Sequence, residues 1–155
     1  MGPDLEKAIH KISFRMRLFR ARQENIGPQN LTERDIMLLE LIEGHGSMTI
    51  SQIAASYPGV SESTISTGVT KLWRDKLVSK TINPENQRVT IVELTEKGAE
   101  ALVVVKSQRA ERFNTLFHAI ETTDDEKQVF MRVLTRAIGY FDEVLGLDKR
   151  VSKQG

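Results

Sequence analysis

The sequence contains no cysteine among its 155 residues. Disulfide bonds, thiol redox sensing and thiolate-bound metals are therefore excluded, and a cytoplasmic location is expected. No apolar run approaches the roughly 18 residues of a membrane-spanning helix, and the first thirty residues lack a signal-peptide pattern. We therefore expect a cytoplasmic protein with no membrane partner.

Catalytic motifs are also missing. The chain has no nucleophile elbow, no zinc-protease helix motif, no phosphate-binding P-loop and no dinucleotide-binding glycine pattern. His10, His45 and His118 each lack a second metal ligand three or four residues away. The sequence therefore predicts neither an enzyme, nor a metal site, nor a cofactor.

Neither sign of charge is in clear excess, because the formal net charge is only +1. Its distribution is uneven: residues 60–92 carry five basic and three acidic side chains, whereas residues 31–98 as a whole carry seven basic and nine acidic ones. Such a modest basic surface predicts moderate nucleic-acid affinity with marked salt dependence, not indiscriminate coating of nucleic acid.

The chain is organised around residues 49–98, which are expected to form a helix, a turn, a second helix and a hairpin. Pro58-Gly59 marks the turn, since neither residue suits a helix interior. In the second helix Ile65, Val69 and Leu72 recur at helical spacing and form one apolar stripe. The opposite face is small, hydroxylated and basic, as expected of a helix that enters a DNA groove. Its residues are Ser63, Thr67, Thr70, Lys71 and Arg74.

Two short β-branched runs follow the second helix. Residues 78–82 and 89–91 alternate apolar and polar side chains, and the polar, turn-rich residues 83–88 separate them. This pattern predicts a hairpin, or wing. The fold class expected is therefore mainly α with a small β wing, a winged helix-turn-helix.

Long amphipathic helices are expected on both sides of this unit. The first covers residues 4–26 and ends at Gly27-Pro28; its basic face is interpreted as solvated or paired between subunits, with phosphate contact as the alternative. The others run from Thr95 towards Glu121 and onward from Thr123, before a polar, frayed tail from Asp148. Capping boxes are predicted at Thr32/Asp35, Thr49/Gln52 and Thr123/Glu126, and a short strand at Ser47-Met48 that joins the wing.

The apolar load of these flanking helices exceeds the needs of one small core. We predict a single domain over residues 1–155, in which residues 31–98 form the DNA-binding lobe and residues 1–30 with 99–150 form a homodimerisation region. A dimer would present two recognition helices to a palindromic double-stranded DNA site. The alternative is a monomer whose terminal helices cover the winged unit.

Residues 83–88, Asn-Pro-Glu-Asn-Gln-Arg, are followed after five residues by Leu94-Thr95-Glu96-Lys97-Gly98. This resembles the MarR family signature D-P-x-D-R-R-x5-L-T-x-x-G, and helix order agrees over nearly the whole chain. The resemblance implies a homodimeric transcriptional regulator, usually a repressor. It also implies that Arg88 enters a minor groove, with a solvated turn charge as the alternative. The recognition helix carries the other implied DNA-binding residues: Ser61, Ser63, Thr64, Thr67, Thr70 and Lys71, to which the helix face adds Arg74.

Three features depart from that signature. Asn83 and Asn86 replace both aspartates, and Gln87 replaces the first arginine. Asn86 can still accept a hydrogen bond, but without charge assistance. Lys76 stands where the family usually has a helix-ending glycine, so the turn into the wing must be made without the residue best suited to a positive φ.

Resemblance to this family also implies a small aromatic effector bound between the dimer helices and the winged unit. Its expected pocket consists of aromatic walls with polar handles: Phe14, Arg15, Phe19, Trp73, Phe113, Phe117 and His118. The alternative is that these aromatic residues, which recur at helical spacing, belong to the hydrophobic core. Another function also fits the near-neutral charge and altered wing: a winged-helix protein-interaction or ligand-binding dimer that does not read DNA.

Overall fold

The computed structural model of the chain describes residues 3–22, 30–57 and 59–146. Six helices and three strands follow one another in these residues: α1 (Pro3–Arg22), α2 (Glu33–His45), β1 (Ser47–Thr49), α3 (Ile50–Ser56), α4 (Glu62–Arg74), β2 (Val78–Ile82), β3 (Thr90–Leu94), α5 (Glu96–Ala119) and α6 (Asp124–Leu145). This confirms the predicted winged helix-turn-helix with flanking helices. The predicted turn residue Pro58, the stop at Gly27-Pro28 and the tail from Asp148 lie outside the described residues.

The three predicted capping boxes are confirmed. Thr32, Thr49 and Thr123 each accept a backbone N–H of the following helix and donate their own backbone N–H to a side chain there. At α6 the bonds from Thr123 lower the pKa of Glu126 below its usual value. Local sequence therefore fixes where α2, α3 and α6 begin.

The chain divides into two compact units, Met1–Lys106 and Ser107–Gly155, and the division lies within α5. In the first unit, α2, α3, α4, the sheet and the start of α5 bury one apolar core. It includes the α4 stripe of Ile65, Val69 and Leu72, all fully buried as the sequence predicted. Ile36 of α2 is half-buried and packs against the edge of this core.

The sheet has the order β1-β3-β2, and both pairings are antiparallel. Met48 of β1 stands opposite Val92, and Val78 of β2 stands opposite Leu94. The predicted short strand thus joins the wing, and the buried side chains of Met48, Val78 and Val92 tie the wing to the core.

The turn from α4 into the wing is closed by Lys76, whose φ is +63°. Its N–H donates to the Trp73 carbonyl (3.0 Å) and the N–H of Leu77 donates to the Leu72 carbonyl (2.9 Å). This is the helix ending that glycine adopts most easily, because a Cβ is crowded in the left-handed region. Lys76 therefore makes this turn in the conformation that a helix-ending glycine would adopt.

We expect Lys76→Gly to stabilise the protein, since it relieves this crowding without removing a hydrogen bond. The gain should be about 1 kcal/mol, which raises Tm by roughly 2–4 °C for a chain of this size. Calorimetry measures the shift, and Lys76→Ala is the matched control because it removes the ammonium but keeps the Cβ. An equal gain in both variants would show that the side chain, not the backbone conformation, is responsible.

The helices outside the winged core carry large apolar side chains in solvent. In the first unit, α1 exposes Leu5, Ile9, Ile12, Leu18 and Phe19, each by about half of its surface. In the second unit, α6 has no buried residue along its length. Of the described helices, none has the length and apolar character needed to span a bilayer.

Candidate nucleic-acid interface

Helix α4 has one buried face and one open face. The buried stripe anchors it in the core, whereas Ser63, Thr67, Lys71 and Arg74 on the other side are exposed and Thr70 is half-buried. Two of these open residues are small and hydroxylated and two are basic. The face therefore permits close approach by a large anionic ligand.

Hydroxyl groups at the start of α4 hold the helix as well as facing outward. Ser61 is the N-cap; its Oγ accepts the N–H of Thr64 (3.2 Å) and lies 2.8 Å from the Thr64 hydroxyl. One turn later the Thr67 hydroxyl donates to the Ser63 carbonyl (3.0 Å). Ser61 and Thr64 are therefore first of all capping residues, and Thr67 keeps acceptor lone pairs free for a ligand.

The two basic residues of this face differ in their surroundings. Lys71 forms an ion pair with Asp35 of α2, whose side chain is only 5% exposed. Arg74 is exposed, and its guanidinium has no partner among the residues that the structure describes. The residues of α4 alone give this face no carboxylate, but the fold places the Asp35 carboxylate of α2 against Lys71.

Lys80 of β2 joins the same surface, a position that was not predicted from the sequence. Its Nζ lies 5.2 Å from the centroid of the Trp73 ring and 3.4 Å from the Thr70 hydroxyl. The cation over the ring links the wing to the last turn of α4. The two-residue spacing from Val78, whose side chain is buried, was the available signal, because alternate residues of a strand share a face.

The wing tip is shaped by two asparagines, Asn83 and Asn86, whose side chains accept backbone N–H groups of the hairpin turn. The Asn83 Oδ1 accepts the N–H of Glu85 (2.9 Å), and the Asn86 Oδ1 accepts the N–H of Arg88 (3.2 Å). The backbone N–H of Asn83 donates to the carbonyl of Val89 (2.9 Å) and closes the hairpin. Asn86 thus orients the backbone of Arg88, while the Arg88 side chain is exposed and has no partner within the described chain.

The seven residues expected to form an effector pocket are divided between the two units. Phe14, Arg15, Phe19 and Trp73 belong to the first, and Phe113, Phe117 and His118 to the second. In the second unit Phe117 stacks on Phe113 and meets Phe130 edge-to-face, both at 6.3 Å between ring centroids. Trp73 is half-exposed beneath Lys80. The pocket itself stays a prediction. Among the described residues, no three His, Asp or Glu side chains are grouped to hold a metal ion.

The chain was compared with protein families, curated proteins and solved structures. A model described as the MarR family matches residues 31–90. No curated protein matches the chain.

Three solved structures illustrate the similarity of fold. A MarR family protein from Bacillus stearothermophilus superposes with a TM-score of 0.74 at 20% identity, covering 89% of this chain and 93% of that one. FabT from Streptococcus pneumoniae, crystallised in complex with DNA, gives 0.67 at 15% identity, covering 91% and 97%. The transcriptional regulator BldR from Sulfolobus solfataricus gives 0.58 at 24% identity, covering 86% and 94%. At these identities, the likeness is one of fold.

Proposed function

We propose that the chain, of which residues 31–90 match a MarR family model, is a DNA-binding transcriptional regulator of that family. In this proposal it is a cytoplasmic homodimer and a repressor that binds a palindromic operator. Residues 31–98 form the DNA-binding lobe, and residues 1–30 with 99–150 form the dimerisation region.

The observation that carries the proposal is the two-sided character of α4. Its apolar stripe is fully buried, so the helix is held rigidly while Ser63, Thr67 and Arg74 face outward. Small hydroxylated residues let the helix backbone approach base edges, and an unpaired guanidinium suits a phosphate or a guanine. The proposed contacts in the major groove are this face, including Thr70, together with the N-terminal turn at Ser61 and Thr64. Lys71 lies on the same face in its ion pair with Asp35.

Arg88 is the proposed contact of the wing. Its backbone is fixed by Asn86, whereas its guanidinium is exposed and unpartnered among the described residues. A narrow minor groove concentrates negative potential, and arginine is the side chain best suited to it. The hydrogen bond from the Arg88 N–H to the Asn86 side-chain oxygen supports a fixed backbone position from which the Arg88 side chain extends.

Two apolar helix surfaces support the homodimer. Half-exposed residues of α1 and the wholly unburied α6, with Ile138 at 55% and Phe141 at 56% exposure, leave large apolar areas in water. A protein that acts alone rarely leaves such continuous apolar faces exposed. Covering them with a second copy gives a two-fold symmetric dimer, and two symmetric recognition helices require a palindromic site.

Release from the operator is proposed to follow the binding of a small aromatic effector. Because two DNA-binding lobes are joined through one dimer, a ligand that favours a different spacing of the recognition helices lowers operator affinity. The proposed effector contacts are the predicted ones: Phe14, Arg15, Phe19, Trp73, Phe113, Phe117 and His118.

Arg88→Ala should weaken operator binding about thirtyfold, because each of the two subunits loses one groove contact, taken at about 1 kcal/mol, the lower end of the usual range. The magnitude of the slope of log K against log salt concentration should fall by about 1.8, since two cations per dimer no longer displace counterions. Fluorescence anisotropy with a labelled operator at several salt concentrations measures both quantities.

Arg88→Lys is the matched variant for this experiment. It keeps the charge and should keep the salt slope, while it loses the affinity that depends on the planar guanidinium. Unchanged affinity of Arg88→Ala at physiological salt would contradict the assignment of the wing contact.

A further inference from the structure

Asp35 is the one charged side chain buried among the residues that the structure describes. It occupies the third position of α2, where its Oδ2 accepts the N–H of Thr32 (2.9 Å) and completes the capping box. A carboxylate is favoured at this end of a helix, because the backbone N–H groups there carry partial positive charge. Asp35 is thus bound from its own helix before any other group reaches it.

The same oxygen, Oδ2, is also the partner of Lys71. The two residues lie 36 positions apart in sequence, so the contact joins the start of α2 to the DNA-facing side of α4. Lys71 is 45% exposed at its side chain, whereas Asp35 is 5% exposed. The ammonium group is therefore at the surface and its counter-charge is beneath it.

This difference in exposure determines whether Lys71 stays paired with Asp35 when DNA binds. Moving the ammonium to a phosphate would leave a carboxylate buried without its cation, which is strongly unfavourable. The phosphate, by contrast, is exposed and already surrounded by water and counterions, so an ion pair with it stabilises the ammonium less than the pair with the buried carboxylate does. The ion pair is accordingly expected to persist in the complex.

We propose that Asp35 is a positioning residue that limits DNA affinity: it keeps Lys71 against α2 and removes that charge from those presented to the phosphates. The proposal rests on the proposed function, namely that α4 binds DNA. Lys71 then aligns α4 on α2 and is not a phosphate contact, unlike Arg74 on the same face.

Two variants test this assignment. Asp35→Asn keeps the shape and an acceptor for the Thr32 N–H but releases Lys71. Because each dimer releases two Lys71 side chains, the salt slope should steepen by about 1.8, and operator affinity near 0.15 M salt should rise about thirtyfold. The double variant Asp35→Asn/Lys71→Met has the wild-type net charge and no buried unpaired ion, so it should fold and show the wild-type slope.

Arg74→Gln is the control for sensitivity, because its loss of one unpaired cation from each subunit should flatten the slope by about 1.8. An Asp35→Asn slope equal to wild type, or a double-variant slope about 1.8 flatter than wild type, would overturn the proposal by showing that Lys71 already contacts phosphate. If Asp35→Asn fails to fold, the double variant decides alone. Absence of salt-dependent operator binding by the wild-type protein would instead reject the proposed function.

Discussion

Gly98→Ala should lower the stability of the protein by about 3 kcal/mol or more, which corresponds to a fall in Tm of roughly 10 °C. The reason is space. A Cβ at Gly98 would lie 2.1 Å from the Leu77 carbonyl oxygen and 3.0 Å from the Leu94 side chain. The carbonyl belongs to backbone that cannot retreat, because it accepts the Thr95 N–H (3.1 Å) and Leu77 is fully buried.

The same region explains why the displacement would spread. The Thr95 hydroxyl donates to the Lys76 carbonyl (2.7 Å) and accepts the N–H of Gly98 (3.0 Å). One threonine therefore fastens the start of α5 to the turn that ends α4. Pushing α5 away from Leu77 strains both bonds, and with them the positions of the recognition helix and the wing.

Gly44→Ala is the matched control for this prediction. Gly44 lies within α2, is exposed, and a Cβ built there meets no neighbouring atom within 4 Å. Alanine should therefore be neutral or stabilising there, by up to about 1 kcal/mol, because it is the better helix former. Thermal unfolding of the three proteins measures the difference; a Gly98→Ala Tm equal to wild type would mean that the close approach to Leu77 is not a constraint.

Thr67→Glu should reduce operator affinity by roughly 100-fold or more. Thr67 stands at the middle of the exposed face of α4, and its hydroxyl bonds only within the helix, to the Ser63 carbonyl. A carboxylate there adds repulsion from phosphates to the loss of close approach and of one contact, together about 3 kcal/mol. Anisotropy with the labelled operator measures the loss.

Thr67→Gln separates charge from bulk in this experiment. It matches the size of glutamate without the charge, so it should lose less affinity and the difference between the two should shrink at high salt. Both residues favour helix, and Thr67 is exposed, so the circular dichroism spectrum and Tm should stay at wild-type values. Wild-type affinity in Thr67→Glu would show that DNA does not meet this face.

Much of the fold could be predicted because its signals are local. The capping threonines and the apolar stripe of α4 act within one or two turns of chain, and both are confirmed. Such features depend on neighbours that the sequence itself supplies.

The candidate site was less predictable, because two of its contacts join distant segments. Asp35 reads as an ordinary capping residue of α2, and nothing near it in sequence indicates Lys71. The cation–π contact of Lys80 with Trp73 depends on how β2 lies along α4. Ser61 and Thr64 illustrate a third difficulty: a hydroxyl that suits DNA also suits a helix cap, and here both are engaged in capping.

Selection of bound duplexes from a randomised pool, with affinity followed across salt concentrations, tests the central claim most directly. We predict enrichment of one palindrome, whose half-sites are centred about one helical turn apart, and a steep salt dependence. That result would support both DNA reading and the dimer. Weak binding without enrichment would contradict the account and favour a winged-helix dimer that binds a protein or a small ligand.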